Sequence, residues 1–215
     1  MSEEEILGNL RQAVLNYDSD GAIKAAEEAI KANVDPLKAI EEGLAPAIRE
    51  VGERFHRYEI YLPHVIIAAD AMTAAMRILE AALPKDRVLK RKAIVIGTVE
   101  GDIHEIGKNV VAIMLKVAGF EVYDLGIDVK VSSFIDKAQA KGADVIAMSS
   151  LMTTSMPNMG DLIEELRSTN LRERFKVVVG GGPVTQGYAD KIGSDGFGRD
   201  GDEAVKVVKR LVGVQ

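Results

Sequence analysis

The sequence predicts an α/β protein in two parts: an N-terminal four-helix bundle, then a flavodoxin-like, doubly wound, parallel five-stranded sheet. Three observations predict it. Through the first 83 residues, apolar side chains recur at helical spacing with almost no strand signal. From Ala93 the period changes to short, continuous apolar runs, as in strands buried on both faces. Those runs alternate with helical segments, the pattern of parallel β-α-β units. The expected boundaries are a helical domain over 1–83, a linker over 84–92 and a Rossmann-like domain over 93–215.

The first helix places Ile6, Leu7, Leu10, Val14 and Tyr17 on one side. Ser19 or Asp20 is expected to cap the second, whose apolar side is Ile23, Ala26, Ala29 and Ile30. Asp35-Pro36 starts the third by joining a capping side chain to a proline in the first turn, where its missing N–H costs nothing. The stripe continues through Leu37, Ile40, Leu44, Ile48, Val51 and Phe55. Pro63 opens the fourth, with Val65, Ile66, Ala69, Met72, Met76 and Leu79. Four helices with short connections suggest a small bundle. Residues 83–92 then carry a proline and five basic residues and read as a solvated connector. In the second part, strands are expected at 93–97, 121–125, 144–148, 176–179 and 195–197. Helices are expected at 107–118, 132–141, 156–167 and 203–212.

Composition removes several classes of function. Twenty-seven basic against 33 acidic residues give a net charge of −6, the wrong sign for a nucleic-acid partner. With no cysteine there is no disulfide, iron–sulfur cluster, thiolate zinc site or cysteine nucleophile. Metal chemistry is left to oxygen ligands or to His56, His64 and His104. No apolar run is expected to reach the roughly 20 residues of a bilayer span. The acidic start, Met1-Ser2-Glu3-Glu4-Glu5, is the reverse of a leader. A cytoplasmic protein without a membrane partner is expected.

The chemistry is expected in the loops after strands one, three and four, which share one sheet edge. In the first, Asp102-x-His104-x-x-Gly107 sets a carboxylate two residues before a lone histidine. Such a carboxylate can accept the imidazole's second N–H, fixing the tautomer of a ligating histidine and raising its basicity. Gly107 is expected to let the chain turn into the helix. The second loop holds Ser149, Ser150, Thr153, Thr154 and Ser155; ordinary helix capping by Thr154 or Ser155 explains hydroxyls there equally well. The third, Gly180-Gly181-Gly182-Pro183, reads either as a tight turn or as close approach of the backbone to a flat or phosphorylated ligand. It is neither a Walker loop nor the Gly-x-Gly-x-x-Gly fingerprint.

Asp102-x-His104-x-x-Gly107, Ser149-x-Leu151 and Gly180-Gly181, in this order and at these separations, resemble the cobalamin-binding module of methionine synthase and its relatives. The helical part resembles the cap domain of that family, so the resemblance covers nearly the whole chain. It is strongest to the small corrinoid proteins of methylamine, betaine, methanol and methoxyaromatic methyltransferase systems. The runs 149–156, 180–185 and 188–196 are similar to theirs.

The resemblance implies a cobalamin or related corrinoid cofactor bound base-off, with His104 as the lower cobalt ligand in place of the cofactor's own base. Asp102 would bond the far nitrogen of His104, and Ser155 would complete the relay. Ser149 and Leu151, with Thr153 beside them, would line the pocket for the displaced nucleotide tail; Gly180 and Gly181 would leave it room. In the cap, Tyr61-Leu62-Pro63 matches a segment, typically Phe-Leu-Pro, that covers the upper corrin face. His64 follows where relatives more often carry Glu or Gln.

The implied function is methyl carriage. Co(I) would take a methyl group from a substrate through a substrate-specific methyltransferase. Methyl-Co(III) would then pass it to a second methyltransferase acting on tetrahydrofolate or a thiol, with a reductive activation protein as a further partner. Alone, the chain would be a carrier rather than an enzyme. Two other classes stand beside this one: a cobalamin-dependent sensor or regulatory module, and a phospho-acceptor receiver using Asp102. A receiver leaves His104, the glycine pair and the helical part without a purpose.

Overall fold

The fold is described from a computed structural model over residues 1–83 and 91–214. Two compact units emerge: the helices of residues 1–83, and the strands and helices from Arg91 onward, except that Val117–Gly119 group with the first. Most of the expected linker, residues 84–90, lies outside the described residues. Lys92, also assigned to it, is tied into the sheet unit by an ion pair to Asp144 at 2.8 Å.

The helical unit holds α1 (Glu3–Leu15), α2 (Ser19–Lys31), a continuous helical stretch from Pro36 to His56, and α5 (Leu62–Ala81). Ser2 and Glu5 form a reciprocal capping box at the start of α1. The cap of α2 is Asp18, whose carboxylate accepts from the Gly21 N–H, rather than Ser19 or Asp20, which are already helical.

The stretch from Pro36 comprises α3 (Pro36–Lys38), a π-helical turn (Ala39–Leu44) and α4 (Ala45–His56). Pro46 accounts for the π turn. It has no N–H for the Glu42 carbonyl and its ring crowds that carbonyl, so the ladder slips and the Ala45 N–H bonds Ile40 O instead.

At 20 residues, with a window of mean hydropathy 1.4, α5 is long and apolar enough to cross a membrane, which corrects the expectation that no run reaches that length. Its buried residues, Val65, Ala68, Ala71, Ala75, Met76 and Leu79, repeat at helical spacing, and it packs on α2: the pattern of a bundle's central helix. At its start the Tyr61 N–H bonds His64 Nδ1 at 3.2 Å, so His64 takes the place a Glu or Gln has in a capping box.

The second unit is a five-stranded parallel sheet in the order β2-β1-β3-β4-β5. Its strands are β1 (Ala93–Thr98), β2 (Glu121–Asp124), β3 (Val145–Ser149), β4 (Lys176–Gly180) and β5 (Gly196–Gly198). All six residues of β1 are buried, as its unbroken apolar run requires. The helices are α6 (Ile106–Val117), α7 (Val131–Lys141), α8 (Pro157–Ser168), α9 (Gln186–Ile192) and α10 (Gly201–Val212). The sequence reading omits α9. Thr185 caps it by accepting from the Tyr188 N–H, and Gly193 ends it in the left-handed region.

The sheet's two faces are covered unequally. On one, side chains of α7, α8 and α9 (Phe134, Leu162, Ala189) close over Val95, Ile146 and Val177 in a continuous buried core. The other carries α6 and α10.

Candidate functional site

Parallel strands put the carboxyl ends of β1, β3 and β4 on one edge, and the strand order reverses between β1 and β3. Ligands of doubly wound sheets sit at that switch point. The loops after β1 and β3 meet there through one carboxylate.

Asp102 is fully buried, and its Oδ1 faces the His104 backbone N–H at 2.9 Å and His104 Nδ1 at 2.8 Å. Its Oδ2 accepts from the backbone N–H groups of Leu151 at 2.6 Å and Met152 at 3.2 Å. The hydroxyls of Ser150 and Ser155 each lie 3.2 Å from the same oxygen. Burial alone would push this carboxyl upward. The N–H groups of His104 and Leu151, then the His104 ring and the Met152 N–H, outweigh it and hold the group far below the usual carboxylate range. A carboxylate ionised at neutral pH only accepts hydrogen bonds, so Nδ1 of His104 carries the proton. The lone pair of Nε2 is thereby left for a ligand, the arrangement that orients metal-binding imidazoles.

The loop that presents His104 is braced from below. Thr98 Oγ1 donates to the Asp102 carbonyl at 2.7 Å, and the Asp128 N–H donates to the same carbonyl at 3.0 Å. Asp128 Oδ1 accepts from Gly101 N–H, where φ is +81°. The turn that needs glycine is therefore at Gly101. Gly107, expected to serve the turn, lies within α6, and a Cβ there would meet nothing within 4 Å. Its freedom is not required by the backbone; Gly107 instead lines open space.

That space is a cavity of about 630 Å³ bounded by α6, α10 and the sheet. Ile96, Ala147 and Val178 form its sheet wall, and Val111, Leu115 and Val208 its helical walls. His104, Gly107, Ser149, Leu151, Gly180 and Gly181 also line it. Lys108 is the buried cation beside it, with its ammonium held by Asp124 at 2.5 and 2.6 Å and by Asn109 at 2.6 Å. No charge is left for the cavity to neutralise there. Its volume suits a drug-sized group, and its walls an apolar, flat one. Ile103, Ile106, Leu151 and Met152 remain exposed around His104, so an extended apolar surface surrounds the imidazole.

The glycine pair proves to have a reason within the protein. A Cβ on Gly180 would come within 2.7 Å of Gly198 O. One on Gly181 would lie 1.9 Å from Ser150 O, and φ there is +119°. The pair lets β4 and its loop lie against neighbouring backbone, and the cavity wall forms as a result. Thr153 is exposed and does not line the cavity. Ser155 is no helix cap: Met156 precedes α8 without a side-chain bond, while Ser155 turns inward to Asp102. Ser150, passed over as one hydroxyl among several, is buried against the same carboxylate. Tyr61 and Leu62 belong to the helical unit, at the start of α5. Among the described residues no three His, Asp or Glu side chains gather as a metal cage. A metal at His104 would therefore arrive inside a larger ligand.

Residues 92–208 match the family model described as a B12 binding domain, and residues 6–80 match a second model of the same description. The chain belongs to the B12-binding family. Its cofactor is cobalamin or a related corrinoid, and the apolar cavity beside a tautomer-fixed histidine fits such a group. Across 99% of this chain and 100% of the relative, it is 46% identical to dimethylamine corrinoid protein 1 of Methanosarcina acetivorans. A cobalamin-binding protein of Desulfitobacterium hafniense is 32% identical, with a TM-score of 0.69 over 95% of this chain and 98% of that one. The methanol:cobalamin methyltransferase complex MtaBC of Methanosarcina barkeri contains a chain 26% identical, with a TM-score of 0.87 over 100% of this chain and 82% of that one.

Proposed function

We propose that this protein is a corrinoid methyl carrier that holds its cofactor base-off, with Nε2 of His104 as the lower axial ligand to cobalt. One observation supports this reading above the others: the Asp102–His104 contact leaves Nε2 free directly beside an apolar cavity able to take a displaced nucleotide tail. When bound, the corrin supplies a cobalt centre that accepts a methyl group and gives it up to a nucleophile.

The chain's own residues bind, orient and tune. Asp102 keeps the Nδ1 proton in place and makes the imidazole a stronger donor. Ser155 and the N–H groups of Leu151 and Met152 stabilise the carboxylate charge so that it stays an unprotonated acceptor. The walls of the cavity exclude water from the tail. Methyl donor and acceptor would be chosen by partner enzymes: a substrate-specific methyltransferase, then a second acting on tetrahydrofolate or a thiol. A reductive activation protein would return the carrier's cobalt to Co(I), all in the cytoplasm.

The test is reconstitution with hydroxocobalamin under reducing conditions. We expect stoichiometric uptake, displacement of the cofactor's own base and, in the Co(II) form, superhyperfine splitting from one protein nitrogen. The loaded protein should then exchange methyl groups with a methylamine- or methanol-type methyltransferase. Loading without methyl exchange with any such enzyme would count for a sensor instead.

Asp102→Asn gives a sharper expectation. Facing Leu151 and Met152, the amide must offer its oxygen, so its NH2 points at His104. It then donates to Nδ1 and drives the ring proton to Nε2, blocking the ligand position. We expect cofactor still bound, with the population ligated through His104 down about 10–100-fold in electron paramagnetic resonance. Chemical denaturation should show a loss on the order of 2–3 kcal/mol at pH 7, from hydrogen bonds to a buried charge. Because the folded carboxyl lies below its ordinary value of 3.8, its contribution is present above that pH and fades as pH falls further. The stability gap between the two proteins should therefore narrow below about pH 4. A constant gap would show that the charge is not what the site stabilises.

A further inference from the structure

We infer that Ser150 is a second positioning residue for Asp102, interchangeable with Ser155, and that the two hydroxyls form a two-way hydrogen-bond exchange beneath the His104 ligand. The inference rests on the proposed ligation but on different atoms.

The argument is a count of protons and lone pairs. A carboxylate offers about four acceptor positions. Six donor atoms approach Asp102: His104 N and Nδ1, the N–H groups of Leu151 and Met152, and the two serine hydroxyls. The two backbone N–H groups at Oδ2 are fixed by the chain and already face both of its lone pairs, so the two hydroxyls at 3.2 Å compete for one additional, shared contact to that oxygen.

Both hydroxyls have somewhere else to go. The carbonyl of Met152 lies 2.9 Å from Ser150 Oγ and 3.0 Å from Ser155 Oγ. The two Oγ atoms are 2.8 Å apart. Their distances to Asp102 Oδ2 are both 3.2 Å. Each hydroxyl proton thus has three acceptors within reach, through two nearly identical sets of contacts. When Ser155 donates to Asp102, Ser150 donates to Met152 O or to Ser155. When Ser150 donates to Asp102, the roles reverse. Both side chains are buried, so water does not enter the exchange. No bond to carbon or to the metal is made or broken; only hydroxyl rotors turn.

Equal geometry predicts equal and redundant effects. Either alanine variant leaves one hydroxyl able to reach Oδ2. Only the double variant leaves the oxygen with its backbone donors alone. Two measurements decide it. In the cofactor-free protein, the Nδ1–H proton of His104, hydrogen-bonded to Asp102, is followed by nuclear magnetic resonance in protein labelled with nitrogen-15 at histidine. Ser150→Ala and Ser155→Ala should shift this signal by equal amounts. In the cobalamin-loaded Co(II) form, the ratio of His104-ligated to unligated metal is read by electron paramagnetic resonance. Each single variant should stay within about threefold of the parent, and the double should fall by about tenfold or more, beyond the product of the singles.

An effect confined to Ser155→Ala, or a double variant equal to the product of the singles, overturns the inference. If the double variant does not fold, unequal shifts in the two single variants do so alone. Absence of any protein nitrogen signal in the loaded parent would overturn the ligand assignment, while the cofactor-free measurement would still decide the hydroxyl exchange.

Discussion

His104→Ala should abolish the protein nitrogen signal of the Co(II) form while the protein still folds and still takes up corrinoid. Fold survival follows from where the side chain sits. The ring is half-exposed, and without it Asp102 keeps the backbone N–H of residue 104, two further N–H groups and the serine hydroxyls. The buried charge is never stranded, so the large penalty for an unpaired carboxylate is not incurred. Cofactor uptake survives because the aliphatic walls of the cavity, from the sheet, α6 and α10, are untouched. Axial ligation does not survive, because among the described residues no other histidine lines the site. Adding free imidazole to the variant should restore a nitrogen signal from solution. A protein-derived nitrogen signal that persists in the variant would falsify the assignment of His104.

The second large effect comes from two glycines of the same motif set, for which opposite outcomes are expected. Gly181→Ala puts a Cβ at 1.9 Å from Ser150 O in a conformation with φ of +119°. The strain of such a backbone for an L-residue is about 1–3 kcal/mol before any clash. Relieving the clash means moving Ser150, whose N–H bonds Gly180 O and whose neighbour Leu151 donates to Asp102. We expect a loss of more than about 4 kcal/mol, a large fraction of the stability of an ordinary domain. Gly107→Ala meets nothing within 4 Å and sits in a helix, so it should stabilise the cofactor-free protein by about 0.5–1 kcal/mol. Because that methyl group enters the cavity lining, it should also weaken corrinoid uptake. Thermal unfolding of both variants, with and without hydroxocobalamin, reads both signs. A Gly181→Ala protein as stable as its parent would refute the packing account of the glycine pair.

The architecture was legible because its signals are long and repeated. The change of period at Ala93 and the alternation beyond it mark every strand of the sheet to within two residues. Features set by one residue's position in space were harder to read. The π turn depends on where Pro46 falls in the ladder of a helix whose apolar stripe looks regular. The seven residues of α9 show too little periodicity to separate from their Gly-rich flanks. Asp102 and His104 were readable because the spacing of two puts them on one tight turn. Ser150 was not, since which hydroxyl in a run of five turns inward is decided by the partner loop 48 residues earlier. The glycine pair was legible as a place of close backbone approach, but that the protein's own backbone makes the approach, at Gly198 and Ser150, is set by residues distant in the chain.

The unequal covering of the sheet has a consequence for the life of the molecule in a cell. Three helices finish the interior on one side, whereas α6 and α10 leave on the other a hollow of about 630 Å³ walled by aliphatic groups. A chain built this way is completed by something it does not encode. Ligand present at a hundred times its dissociation constant adds about 2.7 kcal/mol against unfolding, which lowers the open, protease-sensitive population by about a hundredfold. Corrinoid scarcity would then shorten the survival of the unloaded polypeptide.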